Sequence, residues 1–177
     1  MKHRDDSAAA LLAARSRLDA VTPLRRDCGA LCAAACCKPD GTGRGGMLLH
    51  PGEEACYLQL PHGFAIAPDA GLVENGLLLT CEGSCARETR PLACRVFPLM
   101  FTRGQDGRYG VKLDPRAWPL CPLMPSGLNG LREDFVQAAR EAAAILAADD
   151  AQRAFLDAQD AAVRALTAPL WGEEGSA

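Results

Sequence analysis

The chain has 177 residues, with 19 basic and 22 acidic side chains, a net charge of -3, and 49% apolar but only 5% aromatic residues. That length buries an ordinary hydrophobic core without covalent cross-links, and the charge balance excludes a protein that holds nucleic acid chiefly by neutralising phosphates. No apolar run approaches the ~20 residues a membrane span requires, so neither nucleic acid nor membrane is expected as a partner.

Residues 1–22 predict an amphipathic helix with Leu11, Leu12 and Leu18 near one face, ended by Thr22-Pro23. His3, at its start, is expected to be disordered. Asp5, Asp6 and Arg15 interrupt any signal-peptide pattern, and no apolar export segment follows Arg25-Arg26. The expected localisation is therefore cytoplasmic. Thiols are kept reduced there, so the nine cysteines read as ligands or catalysts rather than bridges, and an odd number leaves one over under complete pairing.

Residues 24–125 hold all nine cysteines and most of the glycine and proline. The short apolar runs MLL, FAIA, GLLLT, RVFPLMF and YGVKL predict brief strands separated by loops. FPLMF and YGVKL flank Asp106-Gly107, a pair that favours a hairpin turn. Beyond residue 125 the texture becomes helical. LREDFVQAAREAAAILAA spaces Leu131, Phe135, Ala139, Ala142 and Leu146 at helical intervals, and a second segment does so with Phe155, Leu156, Val163 and Leu166. Asp149 or Asp150 is placed to cap this second helix, and the tail GEEGSA is expected to be loose. The fold class expected is α+β: a cysteine-rich domain at 24–125, an N-terminal helix at 1–22 and a C-terminal helical hairpin at 126–171 packed on it.

The stretch DCGALCAAACC places Cys28, Cys32, Cys36 and Cys37 in close succession, and a second group comprises Cys81, Cys85, Cys94 and Cys121. Eight thiols suit a cluster with spare ligands, or two four-thiolate sites. Sulfur ligands favour zinc or an iron-sulfur cluster over calcium and magnesium, which take oxygen. If residues 28–36 formed one straight helix, Cys28 and Cys36 would stand ~12 Å apart at 1.5 Å per residue, too far to share one zinc with bonds of ~2.3 Å. Either the helix breaks around the metal or the group divides. Cys36 and Cys37, as neighbours, point about 100° apart in a helix and to opposite faces in a strand, so joint ligation of one ion requires a special backbone. Alternatively the pair serves two metals, or one ligates while the other packs or undergoes redox chemistry. Cys56, in EEACYLQL, is expected to be a small packed hydrophobe.

The segment CEGSCARETRPLACRVFPL carries a cysteine pair followed by R-P-L-A-C-R-x-F-P. It resembles a bacterial family described as a zinc- or iron-chelating domain and known by its CxxCxxCC signature; the match runs over roughly residues 28–121. This chain reads C-x3-C-x3-C-C where the family's first cluster is shorter. Carried over position by position, the resemblance implies Cys28, Cys32, Cys36, Cys37, Cys81, Cys85 and Cys94 as metal ligands, with Cys121 closing the set. The chain is also similar to the cysteine-rich part of flagellin lysine methylases, which are iron-sulfur proteins. MLLHPGEEA looks like the family's strand, turn and acidic helix start, with Glu53 and Glu54 suited to a helix's first turn. His50, before a proline, reads as a turn residue rather than a ligand, and His62 is a weaker ligand candidate still.

Arg87, Arg90 and Arg95 surround Cys94 in sequence. Four thiolates around a divalent metal leave a charge of about -2, which such arginines compensate; the competing role is ordinary salt bridging. The function expected is a cytosolic metal-binding protein that holds an iron-sulfur cluster, Zn2+ or both. No catalytic residue is identified and no protein partner is implied. The alternatives are a thiol-disulfide redox protein, a metal carrier and a cluster-dependent enzyme related to lysine methylases. The C-x3-C-x3-C run has the wrong last spacing for the adenosylmethionine-dependent radical enzymes, and the chain is short for their barrel.

Overall fold

In the computed structural model, residues 2–26, 28–38, 46–82 and 85–171 are described. Short antiparallel strands and flanking helices combine in a mixed α+β architecture. Helix α1 spans Lys2–Arg17, followed by the single turn α2 at Gly29–Cys32. Strands β1 (Met47–Leu48), β2 (Phe64–Pro68) and β3 (Leu77–Cys81) form one sheet in the order β1-β3-β2, with both pairings antiparallel. Helix α3 (Leu92–Val96) leads through a cis Phe97–Pro98 peptide into β4 (Leu99–Arg103), which pairs with β5 (Tyr109–Leu113). Helices α4 (Glu133–Ala147) and α5 (Asp150–Trp171) complete the order.

The hairpin turns at Gly107, whose φ of 80° lies where a side chain is disfavoured. Its strand begins later than the apolar run suggested: Arg95 and Val96 of RVFPLMF belong to α3. The two C-terminal helices follow the helical spacing. Leu131, Phe135, Ala139, Ala142 and Leu146 are buried, as are Phe155, Leu156 and Val163, but Leu166 is exposed. Asp149 caps α5 by accepting from Gln152 N at 2.9 Å. The tail after residue 171 lies outside the described residues.

The main core runs through all three stretches of sequence. Leu11, Ala14 and Leu18 meet Leu92 and Val96, Leu99 and Phe101, and the inner faces of α4 and α5. A smaller cluster of Leu49, Tyr57 and Leu79 lies under the three-stranded sheet. Helix α1 ends at Arg17, short of Thr22-Pro23, because Arg87 takes the carbonyls that follow: Nε donates to Asp19 O and Nη2 to Leu18 O and Val21 O. His3 falls in the first turn of this helix, not in a disordered end, and Leu12 is exposed rather than sharing the face of Leu11 and Leu18. No helix among the described residues is long and apolar enough to cross a membrane.

A buried polar network joins α1 to the middle of the chain. Glu53, fully buried at the start of a 3-10 turn (Glu53–Tyr57), pairs with Arg15 of α1 through Oε1. The same oxygen accepts from Leu92 N at 2.7 Å, and Oε2 accepts from His50 N at 3.1 Å. The structural role expected for Glu53 is therefore filled at both oxygens. His50 does open a turn, its carbonyl accepting from Glu53 N at 2.9 Å, but it is also buried: it is 2% exposed, its Nδ1 lies 3.1 Å from Gln152 Oε1, and its ring packs against Phe101 and Phe155. Gln152 Nε2 in turn donates to Ser7 Oγ at 3.1 Å and Pro51 O at 2.8 Å.

Removing one partner of such a pair strands a charge in the interior, at a cost of about 3–5 kcal/mol. Glu53→Ala is therefore expected to lose stability on that scale in urea unfolding. Burial pushes the His50 pKa below its ordinary value, although Glu53 and Gln152 pull it up. The neutral ring is favoured in the fold, so its contribution is present above the unfolded value near 6.5 and is lost as pH falls below it. Between about pH 7.5 and about pH 5.5 the urea midpoint should fall more steeply for the wild type than for His50→Gln.

Candidate metal centre

The first thiol run does not stay helical. After the single turn α2, Ala33 and Ala34 both adopt left-handed backbone, with φ of 49° and 54°, and Ala35–Cys37 forms a 3-10 turn. The helix breaks, one of the two outcomes left open by the ~12 Å span of a straight helix, and the group also divides, since Cys32 does not line the thiol cavity. Left-handed backbone costs a non-glycine residue roughly 1–2 kcal/mol, and strain of this kind gathers at functional sites. Its geometric result is that Cys36 Sγ and Cys37 Sγ stand 3.9 Å apart. Two sulfurs bound to one tetrahedral ion by ~2.3 Å bonds are ~3.8 Å apart, so the spacing fits shared ligation.

The second group is placed by strand alternation and helix periodicity. Leu79 and Cys81 are two residues apart on β3 and so share a face. Across the sheet, Met47 stands opposite Leu79 and Phe64 opposite Cys81. All four line one cavity of about 90 Å³. Cys94 and Phe97, three apart on and just past α3, present a second wall. Cys28, Cys36, Cys37 and Cys85 complete the thiol lining, so six of the eight predicted ligands meet in this cavity.

The remaining two, Cys32 and Cys121, do not line it. Cys32 Sγ faces Cys28 O at 3.9 Å. Burial raises the Cys121 pKa against the opposing pull of a Leu123 backbone hydrogen bond, and Cys32 adds to the rise. Cys56 is exposed, not packed as a small hydrophobe, because the 3-10 turn that buries Glu53 and Tyr57 turns it outward. His62 is exposed, and His50 is committed to the core network.

Charge inside the cavity is uneven. The contact with Cys37, then burial, pushes the Cys36 thiol upward, and Cys32 and Cys28 add to the rise. Burial raises Cys94 first, followed by Cys37, Cys85 and Cys81. Burial also raises Cys85, against the opposing pull of Arg90. Crowded thiols that resist ionisation together are a donor set suited to a cation that neutralises them. Among the described residues, no three histidine, cysteine, aspartate or glutamate side chains converge on one ion. The thiols ring a volume several times that of a water molecule. The thiol chemistry and the Cys36–Cys37 spacing, though not a converged ligand set, are of the kind a thiophilic metal takes.

The three arginines differ in ways the sequence does not display. Arg95 is 5% exposed and pairs with Asp19, while its Nε donates to Arg90 O and its Nη2 to Glu88 O, each at 2.9 Å. Arg87 holds the end of α1. Both line the cavity but chiefly tie the chain together, contrary to the charge-compensating role expected for Arg95. Arg87 feels only Cys28 among the thiols, whereas Arg90 leans on them most. Burial would lower its pKa, yet Cys85, then Cys37 and Cys94, hold it above the ordinary value.

Compared with models of protein families, with curated proteins and with solved structures, the chain matches none.

Glycine relieves left-handed strain, so Ala34→Gly is expected to raise the stability of the metal-free protein by roughly 0.5–1 kcal/mol. Urea unfolding in the presence of a chelator measures it. A fall in stability would show that Ala34 is not strained.

Proposed function

We propose that this is a cytosolic metal-binding protein whose clustered thiolates hold an iron-sulfur cluster, zinc or both. The observation that carries the reading is the meeting of six cysteines, from residues 28–37 and 81–94, in one cavity. Unrelated buried thiols have no reason to share a cavity from such distant parts of the chain. The resemblance of the R-P-L-A-C-R-x-F-P segment to the zinc- or iron-chelating family supports the same reading.

In it, the six cavity thiols Cys28, Cys36, Cys37, Cys81, Cys85 and Cys94 are the ligands, while Cys32 and Cys121 lie outside the lining. A bound metal or cluster would supply the positive charge that lets these thiols ionise. The chain's own contribution is to bring the sulfurs together, shield them from water and donate hydrogen bonds to them.

A thiol-disulfide exchange protein is the second reading, favoured by the 3.9 Å contact between Cys36 and Cys37. Against it stands the upward shift of the Cys36 thiol, since the thiolate is the attacking form.

Anaerobic purification followed by metal and acid-labile sulfide determination per chain tests the proposal. Stoichiometric iron with sulfide, or stoichiometric zinc, is the expected result. Cys94→Ser should lower metal content and unfolding midpoint together, whereas Cys56→Ser should leave both near wild type. A wild-type preparation that neither retains nor takes up metal, with Cys36 and Cys37 cycling between dithiol and disulfide, would overturn the metal reading in favour of exchange chemistry.

A further inference from the structure

Arg90 Nε is sealed from solvent and has no hydrogen-bond partner, the one buried side-chain nitrogen or oxygen in this position among the described residues. A buried donor left unmade costs about 1–3 kcal/mol, more on a charged group. Folded proteins rarely leave such a group unsatisfied, and one that remains calls for an explanation. The guanidinium lines the thiol cavity. The guanidinium already bonds the Cys85 thiol, and the neighbouring backbone is engaged elsewhere. Arg95 grips the Arg90 carbonyl at 2.9 Å and bonds Glu88 O, bracing the backbone on either side. Pro91, which follows, has no N–H, and the next amide, Leu92 N, is held by Glu53 at 2.7 Å. The segment is thus anchored so that the Arg90 side chain faces the cavity while its Nε waits for an acceptor there.

We propose that Arg90 is a positioning residue for the bound centre, its Nε–H donating a hydrogen bond to sulfur of the thiolate-held group in the cavity. This rests on the metal-binding reading above and adds to it a named donor from outside the ligand set. A guanidinium suits the task because its planar fork keeps a permanent charge and presents several donors in fixed directions. Hydrogen bonds from such outer groups orient ligands and change metal affinity by about 10–100-fold. The donor draws electron density from sulfur and balances part of the ~-2 charge that four thiolates leave on a divalent ion. Arg87 and Arg95 are committed elsewhere: Nε and Nη2 of Arg87 go to main-chain carbonyls, and Nε, Nη1 and Nη2 of Arg95 go to carbonyls and Asp19.

The test is chelator-driven metal release from the full-length chain, loaded anaerobically either with Zn2+ or with Fe2+ and sulfide. Arg90→Met is expected to bind metal about 10–100-fold more weakly than wild type. Its unfolding midpoint in the metal-free state should not fall. Arg90→Lys keeps the charge but lacks the Nε donor, and should remain at least about tenfold weaker; it also carries the test if the methionine variant does not fold. Wild-type affinity and release rate in both variants would overturn the proposal and leave the metal reading standing. Full recovery by lysine would assign the effect to charge and overturn the hydrogen bond. A metal-free stability loss matching the affinity loss would make Arg90 a structural tie instead. If the wild type itself takes up neither Zn2+ nor iron with sulfide, the metal reading fails, and this inference falls with it before any variant is compared.

Discussion

The buried carboxylate of Glu53 is the point through which the rest of the fold is aligned. Its two oxygens serve three donors from three separate parts of the chain: the Arg15 guanidinium on α1, the Leu92 amide at the start of α3, and the His50 amide beside the sheet. A buried ion pair adds little net stability over a well-packed apolar substitute, because both charges must leave water. What it adds here is direction. The Leu92 contact fixes the first turn of the helix on which Cys94 stands, and the Arg15 contact holds α1 against the same place. Through His50 and Gln152 the network continues to α5. The thiol cavity therefore inherits its geometry from a polar core that contains no cysteine.

On that frame the sheet and α3 supply opposite walls. The face bearing Leu79 and Cys81, with Met47 and Phe64 across from them, is apolar apart from the thiol, and α3 brings Cys94 and Phe97 to meet it. Apolar walls keep the local dielectric low, which strengthens whatever charge interactions form inside and makes an unpaired charge expensive. This is why the distribution of arginines matters. Arg87 and Arg95 line the cavity too but fasten α1, the turn after it and the Glu88 and Arg90 carbonyls, while Arg90 feels Cys85, Cys37 and Cys94 together.

The periodic and local parts of this architecture were readable from the sequence. Helices α4 and α5 follow from residues such as Phe135, Ala139 and Leu146, whose spacing is set by the helix itself, and the β4–β5 hairpin follows from Asp106-Gly107. The grouping of cysteines was likewise visible, as was the choice between a broken helix and a divided group in the first run. Features that depend on distant partners were not. Nothing near Glu53 announces that Arg15 and Leu92 will meet it, and the histidine before Pro51 carries no mark of burial. Alanine has no local signal for left-handed backbone, so Ala33 and Ala34 gave no warning. Leu12 and Leu166 sit within helical patterns yet face solvent, because the pattern marks a stripe without saying how wide the covering partner is. Among Arg87, Arg90 and Arg95 the difference in role arises entirely from which carbonyls lie within reach after folding.

The walls of the thiol cavity come from opposite ends of the cysteine-rich stretch, with the strand residues Met47, Phe64 and Leu79 between them. During synthesis the first run, Cys28 to Cys37, leaves the ribosome well before Cys94 is translated. Until then those early sulfurs have no fellow donors from α3 or β3 and no Arg90 beside them. A nascent chain thus carries its first four thiols for a time without the later ones. The cavity is complete only once the later half has arrived, so the meeting of the two groups belongs to the end of translation and not to its beginning.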